Sequence, residues 1–210
     1  MKSNIFLIIA FIVLPVTLTA QNNICKLTKS NYSELQTVTP EQVRCIAQNS
    51  DKDISIFFGY AAWCSDALLQ QAIDFAAQQN ADLYILLIDK EDDIRMIETS
   101  TKTLDKATNV LIISDSLYTN KLKTKKTPKF RFIAVYGKKY KEKYANFLTE
   151  ITTPQFENVV GLSKYIVLNN NGETIFVSSN KDTEANDALE KAAGAIEKNR
   201  KESKESKVKS

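Results

Sequence analysis

Three short, strongly apolar runs alternate with amphipathic segments, and this alternation limits the architecture of the chain more than any other feature. Ile54 to Gly59 (Ile-Ser-Ile-Phe-Phe-Gly), Leu83 to Ile88 and Val110 to Ile113 carry almost no polar side chain to face water. Runs of about four to eight such residues suit strands buried on both faces. After the first run, Leu68, Leu69, Ala72, Ile73 and Ala76 recur at helical spacing, with Gln and Asp on the other side. After the second, Ile94, Ile97 and Leu104 mark another helix. It opens on Glu91-Asp92-Asp93, whose charge suits the positive end of a helix dipole. Strands and helices alternating in this way predict a parallel sheet covered by helices.

The flanking segments add detail. Residues 21–50 read as a lead-in with one short helix. Thr39 is placed to cap it, Pro40 fits its first position, Gln42 can reach back, and Val43, Ile46 and Ala47 face inward together. From Asn120 to Lys143 the rhythm breaks. Ten Lys or Arg residues, from Lys121 to Lys143, stand against one acid, Glu142. Within that stretch Phe130 to Tyr136 suits a strand, and Tyr140, Tyr144, Phe147, Leu148 and Ile151 mark an amphipathic helix. Tyr165 to Leu168 and Thr174 to Val177 flank Asn169-Asn170-Asn171-Gly172, residues that tolerate the positive φ of tight hairpin turns. A last helix is expected from about Thr183, using Leu189, Ala192, Ala193 and Ile196. Residues 200–210 are Lys, Glu and Ser repeats without an apolar face and are expected to be disordered.

The first twenty residues read as an export signal. Lys2 precedes the apolar stretch Ile5 to Val16, and Thr17-Leu18-Thr19-Ala20 suits cleavage. That stretch is shorter than the roughly 20 residues a membrane-spanning helix needs. The expectation is therefore a periplasmic or secreted protein without a stable membrane anchor. The formal net charge of +3 does not call for a nucleic-acid partner. The absence of histidine removes Ser-His and Cys-His catalysis and His-containing zinc sites. Three cysteines alone cannot build a four-cysteine metal site. Thiol chemistry, carboxylate chemistry or none remains, and no residue pattern calls for a metal or cofactor.

Phe57-Phe58-Gly59-Tyr60-Ala61-Ala62-Trp63-Cys64, then a helix, a second strand and helix, a hairpin and a terminal helix, resembles the thioredoxin family from about Asp51 to Asn199. The likeness is closest to the periplasmic thioredoxin-like proteins of bacteria. It implies an α/β fold, a thioredoxin-like mixed sheet flanked by helices, with an insertion at about 120–154 before the final β-hairpin. It also implies that Cys64 is the nucleophile, that Trp63 walls the site and that Ser163 lines the groove opposite. A thiol at a helix N-terminus feels the positive dipole end, which favours the reactive thiolate. Two departures matter. The family's Cys-x-x-Cys reads Cys64-Ser65-Asp66-Ala67, so the resolving thiol is missing. Ser163 stands where the family has a cis-proline, and a cis bond before a non-proline costs about 2.5–4 kcal/mol.

For the other cysteines, pairing of Cys25 with Cys45 leaves Cys64 outside a bond and closes a loop worth about 3 kcal/mol. Cys64 as a structural disulfide partner, and Cys45 as a remote resolving thiol, are the alternatives. Two functions follow. One is single-cysteine thiol–disulfide exchange with protein thiols or disulfides, resolved by an external thiol. The other is a catalytically degenerate binding module that uses the basic insertion against an anionic surface or acidic protein. A solvated face accounts for the same lysines.

Overall fold

The computed structural model describes residues 24–61, 66–89, 91–104, 109–118, 143–144, 146–152, 165–178 and 185–209. The expected signal segment, Trp63, Cys64, Ser163, the Phe130–Tyr136 strand and the basic residues Lys121 to Lys141 lie outside these residues. Among the described residues, seven strands form one mixed sheet: β1 (Thr28–Lys29), β2 (Gln36–Val38), β3 (Ile54–Tyr60), β4 (Asp82–Leu87), β5 (Val110–Ile113), β6 (Tyr165–Asn169) and β7 (Thr174–Val177). Their order across the sheet is β1-β2-β5-β4-β3-β6-β7. Strands β2, β5, β4 and β3 run parallel, while β6 is antiparallel to β3 and β7 to β6.

Alternation along β3 decides the layers. Ile54, Ile56, Phe58 and Tyr60 join one core cluster, and Phe57 and Ala61 join the other. Every residue of the strand is buried, as its unbroken apolar run requires. The first face is covered by α2 (Asp66–Gln78), α3 (Ile94–Thr103) and α5 (Ala185–Lys209). The second is covered by α1 (Pro40–Gln48) and by α4, described over residues 143–144 and 146–151. Stacking of Phe57 on Tyr84, with ring centroids 4.8 Å apart, ties β3 to β4 on that second face. Burying an aromatic side chain of this kind contributes roughly 1.5–3 kcal/mol. The architecture is α/β, and the β3–α2–β4 unit followed by the β6–β7 hairpin and a closing helix is consistent with a thioredoxin-like arrangement.

Local signals set the ends of these elements. Thr39 Oγ1 accepts from the Gln42 amide at 3.4 Å while the Thr39 amide donates to Gln42 Oε1 at 2.9 Å, a complete capping box. Gly172 turns the hairpin with φ +76°, and Asn169 Oδ1 accepts from the Asn171 and Glu173 amides at 3.0 Å each. A side chain at Gly172 would face that left-handed strain and the Gln48 side chain together.

Two expectations need correction. Residues 21–50 were expected to be a lead-in, but β1 and β2 lie inside them and β2 joins the sheet in parallel with β5. Three residues are too few to show a period, so only the pairing partner reveals the strand. Residues 200–209, expected to be disordered, continue α5 to Lys209. Arg200 anchors the point of exit. Its Nε donates to Asp53 Oδ2 at 2.6 Å, and its Nη2 donates to Asp53 Oδ1 at 3.0 Å and to the Gln79 carbonyl at 2.7 Å. The hydrogen bond from Arg200 also holds the Asp53 carboxyl below the usual carboxylate range. Around it, i,i+4 pairs on the exposed side, Lys201 with Glu197 at 2.9 Å and Lys198 with Glu202 at 3.8 Å, support the helix.

Candidate functional site

Because β2, β5, β4 and β3 are parallel, their C-terminal ends share one edge of the sheet. In parallel sheets that edge is where ligands and reacting groups gather. The described chain leaves β3 at Tyr60 and Ala61 and resumes at Asp66, the first residue of the thirteen-residue α2. Cys64 belongs to the connection between them. On the other side, the chain enters β6 at Tyr165, which pairs with Phe58 near the end of β3. The end of β3 and the start of β6, the described strand ends next in sequence to Cys64 and Ser163, therefore share one edge.

A buried ionic network occupies that edge beside β4 and β5, and it centres on Lys143. Sequence reasoning counted Lys143 with a basic, solvated or anion-binding face. Instead it is 0% exposed. Its Nζ donates to the Asp89 carbonyl at 2.6 Å, the Ile113 carbonyl at 2.7 Å and Asp115 Oδ1 at 2.8 Å. The two carbonyls belong to residues at the ends of β4 and β5, where each chain leaves the sheet. A lysine from the helix thus supplies donors to groups that the ladder leaves open. Burial pushes the Lys143 ammonium below the usual lysine range, and Asp115, Glu91 and Asp89 act against that shift.

The carboxylates around it are held in turn. Glu91 Oε1 accepts from the Asp115 amide at 2.7 Å, and the Glu91 amide donates to Asp115 Oδ2 at 3.2 Å. Ser30 Oγ donates to Glu91 Oε2 at 3.2 Å and Ser100 Oγ to Asp89 Oδ2 at 3.1 Å. Of the Glu91-Asp92-Asp93 triplet, Asp93 is the N-cap of α3, accepting from the Met96 amide at 3.4 Å. Glu91 turns inward instead and is 9% exposed. No group of three His, Cys, Asp or Glu side chains among the described residues is arranged to hold a metal ion. One signal for Lys143 was legible: it stands four residues before Phe147 and eight before Ile151, on the apolar face of its own helix.

The next residue, Tyr144, lies over Gly59, one residue before the end of β3. A methyl group on Gly59 would collide with the Tyr144 hydroxyl and stand 2.8 Å from Cζ. Gly59→Ala is therefore expected to lower stability by about 1–3 kcal/mol, measured by urea denaturation. Combination with Tyr144→Phe should restore part of the loss, because the hydroxyl is the nearest obstacle.

Two further features adjoin the site. Tyr165 is 1% exposed and packs against Phe58 at 4.9 Å, yet its hydroxyl has no hydrogen-bond partner among the described residues. Burial pushes its pKa up to about 12. Cys25 and Cys45 form a disulfide with Cα atoms 5.6 Å apart, which ties the start of the described chain to α1. A groove of about 380 Å³ between the C-terminal half of α2 and α5, bordered by Asp74 and Glu190, lies away from this edge. No described helix is long and apolar enough to cross a membrane. In comparisons with known proteins, no family model, curated protein or solved structure matches the chain.

Proposed function

We propose that this chain is an exported thioredoxin-like protein that exchanges thiols and disulfides through one nucleophile, Cys64. The observation that carries the reading is the position of Cys64 in the chain. In sequence it falls between the fully buried strand β3, which ends at Tyr60, and α2, which is described from Asp66. The start of a helix offers unpaired N–H groups and the positive end of a dipole, which favour thiolate. Cysteine arithmetic adds support: of three cysteines, Cys25 and Cys45 are joined, which leaves Cys64 outside that bond.

In the exchange, the Cys64 thiolate attacks one sulfur of a partner disulfide. The partner S–S bond breaks, and its other sulfur leaves as thiolate and takes a proton from water. Ala67 stands where a second thiol would resolve the mixed disulfide. An external thiol, small or protein-borne, therefore attacks the partner sulfur. A new disulfide forms between partner and external thiol, and Cys64 returns as thiolate. Trp63 is proposed to wall the site and Ser163 to line it opposite. A periplasmic or secreted location suits this chemistry.

Alkylation of the intact protein across pH 5 to 9, with mass mapping of the modified cysteine, tests the reading. Cys64 is expected to react with a midpoint below the ordinary thiol value of about 8.5, and Cys64→Ser should abolish the labelling. Labelling only after denaturation would refute it. The degenerate binding module would then stand in its place, and partner capture by a variant with the lysines of residues 121–141 changed to serine would test that.

A further inference from the structure

We propose that the Cys25–Cys45 disulfide is a redox clasp on the N-terminal edge of the sheet. Its reduction releases residues 24–30 while the sheet from β2 to β7 stays folded.

The released piece has little else to hold it. Strand β1 has two residues, both exposed, and its one neighbour in the sheet is β2. Within residues 24–30 the buried positions are Cys25 and Ser30, and Leu27 packs in part against the core. Ile24 stands 57% exposed. Lys26 is held at φ +52°, a left-handed conformation that opposes docking for a residue with a side chain. The segment's polar contacts lie at the sheet edge, where the two-residue β1–β2 ladder is joined by the Ser30 amide's bond to the Leu35 carbonyl at 2.9 Å. Gln42 Nε2 donates to the Lys26 carbonyl at 2.8 Å on the surface, Thr37 Oγ1 donates to the Thr28 carbonyl at 3.0 Å, and Lys29 pairs with the exposed Glu34 at 2.6 Å. Ser30 adds its bond to Glu91. Ordering seven residues costs chain entropy at each one, and so small an apolar contribution does not offset it. The covalent bond to α1 is what keeps the segment in place.

The rest of the sheet does not depend on it. β2 keeps its parallel ladder to β5, and the Ser114 amide still donates to the Val38 carbonyl at 2.9 Å. Cys45 is part-exposed on α1 whereas Cys25 is buried, so an incoming thiolate meets the Cys45 sulfur first. With a dithiol as reductant, its first thiolate bonds to Cys45 Sγ and Cys25 leaves as thiolate. The second thiolate then closes the reductant's own disulfide and releases Cys45. Two electrons pass to the protein, and two protons from the reductant's thiols complete two cysteine thiols. Release uncovers the outer edge of β2 and removes the Ser30 donor from Glu91, so the clasp links thiol redox state to the rim of the Lys143 network.

Hydrogen exchange read by mass spectrometry on the full chain tests this, with oxidised protein, protein in dithiothreitol and the Cys25→Ser/Cys45→Ser variant. Each measurement is repeated in Cys64→Ser so that no effect of Cys64 enters. Peptides within residues 24–30 are expected to exchange at least about ten-fold faster on reduction and in the double variant. Those from β3, β4 and β6 should be unchanged. Equal protection with and without the bond would overturn the proposal, and so would loss of protection throughout the sheet.

Discussion

Lys143→Ala is expected to lower the unfolding free energy by about 3–5 kcal/mol, read from urea or thermal denaturation. The size follows from what the substitution leaves behind. The Asp89 and Ile113 carbonyls lose a donor inside the protein, and Asp115 loses the cation 2.8 Å from its carboxylate. Breaking a buried pair by removing one partner costs more than the pair itself contributes, because the survivor stays desolvated. Lys143→Met with Asp115→Asn should therefore recover part of the loss, since it removes both charges. The pH dependence has a definite sign. Burial pushes the folded-state pKa of Lys143 down, whereas an unfolded lysine titrates at about 10.4. Between those values the unfolded chain holds a proton that the folded chain does not, so this residue makes stability rise with pH across that window. In Lys143→Met that rise should vanish. An unchanged slope would mean that the ammonium is less desolvated than its complete burial implies.

Tyr165→Phe is expected to act in the opposite direction and raise stability by about 1–3 kcal/mol at neutral pH. The buried hydroxyl has no partner among the described residues, and an unsatisfied buried hydroxyl carries a desolvation cost of that order. The ring contacts to Phe58 and Phe75 survive the change. The same residue should govern alkaline behaviour. Its folded pKa is raised to about 12 against an ordinary value near 10, so its contribution is complete below about pH 10 and lost as pH rises towards 12. Two pKa units correspond to a loss of about 3 kcal/mol. Urea titrations at pH 9, 10 and 11 should show wild type weakening relative to Tyr165→Phe. If the variant is less stable at pH 7, the hydroxyl has a partner after all. Because Tyr165 pairs with Phe58 near the end of β3, either result also bears on how rigidly that end of the strand is held.

Much of the scaffold was legible because it depends on near neighbours in the chain. The Thr39–Gln42 cap, the Asn-Gly hairpin and the buried β3 and β4 runs each announce themselves within a few residues. β2 was not legible, since a three-residue strand shows no alternation and exists through its ladder to β5. The reach of α5 was missed for a related reason: attention to its absent apolar face overlooked the Arg200 anchor, whose partners Asp53 and Gln79 lie far away in sequence.

The candidate site divides in the same way. Its thiol was found from a local context, Trp63-Cys64 between a strand run and a helix run. Its ionic network was not, because Asp89 and Glu91, Asp115, and Lys143 are brought together from three separate parts of the chain. Position on an apolar helical face was the one hint for Lys143, and it was outweighed by the nine other basic residues around it.

By itself, then, the sequence determined which segments become β3 to β7 and the main helices, which faces turn inward, and where in that order the cysteines fall. These are properties of period and local conformation, set by residues within a turn or two of one another. The pairing of Cys25 with Cys45 was also read from the sequence, and the structure bears it out. Only the tertiary structure decided that one lysine of a basic run is buried and that two short strands extend the sheet. Each of those depends on which distant groups arrive at the same place and exclude water there, and no local pattern carries that information.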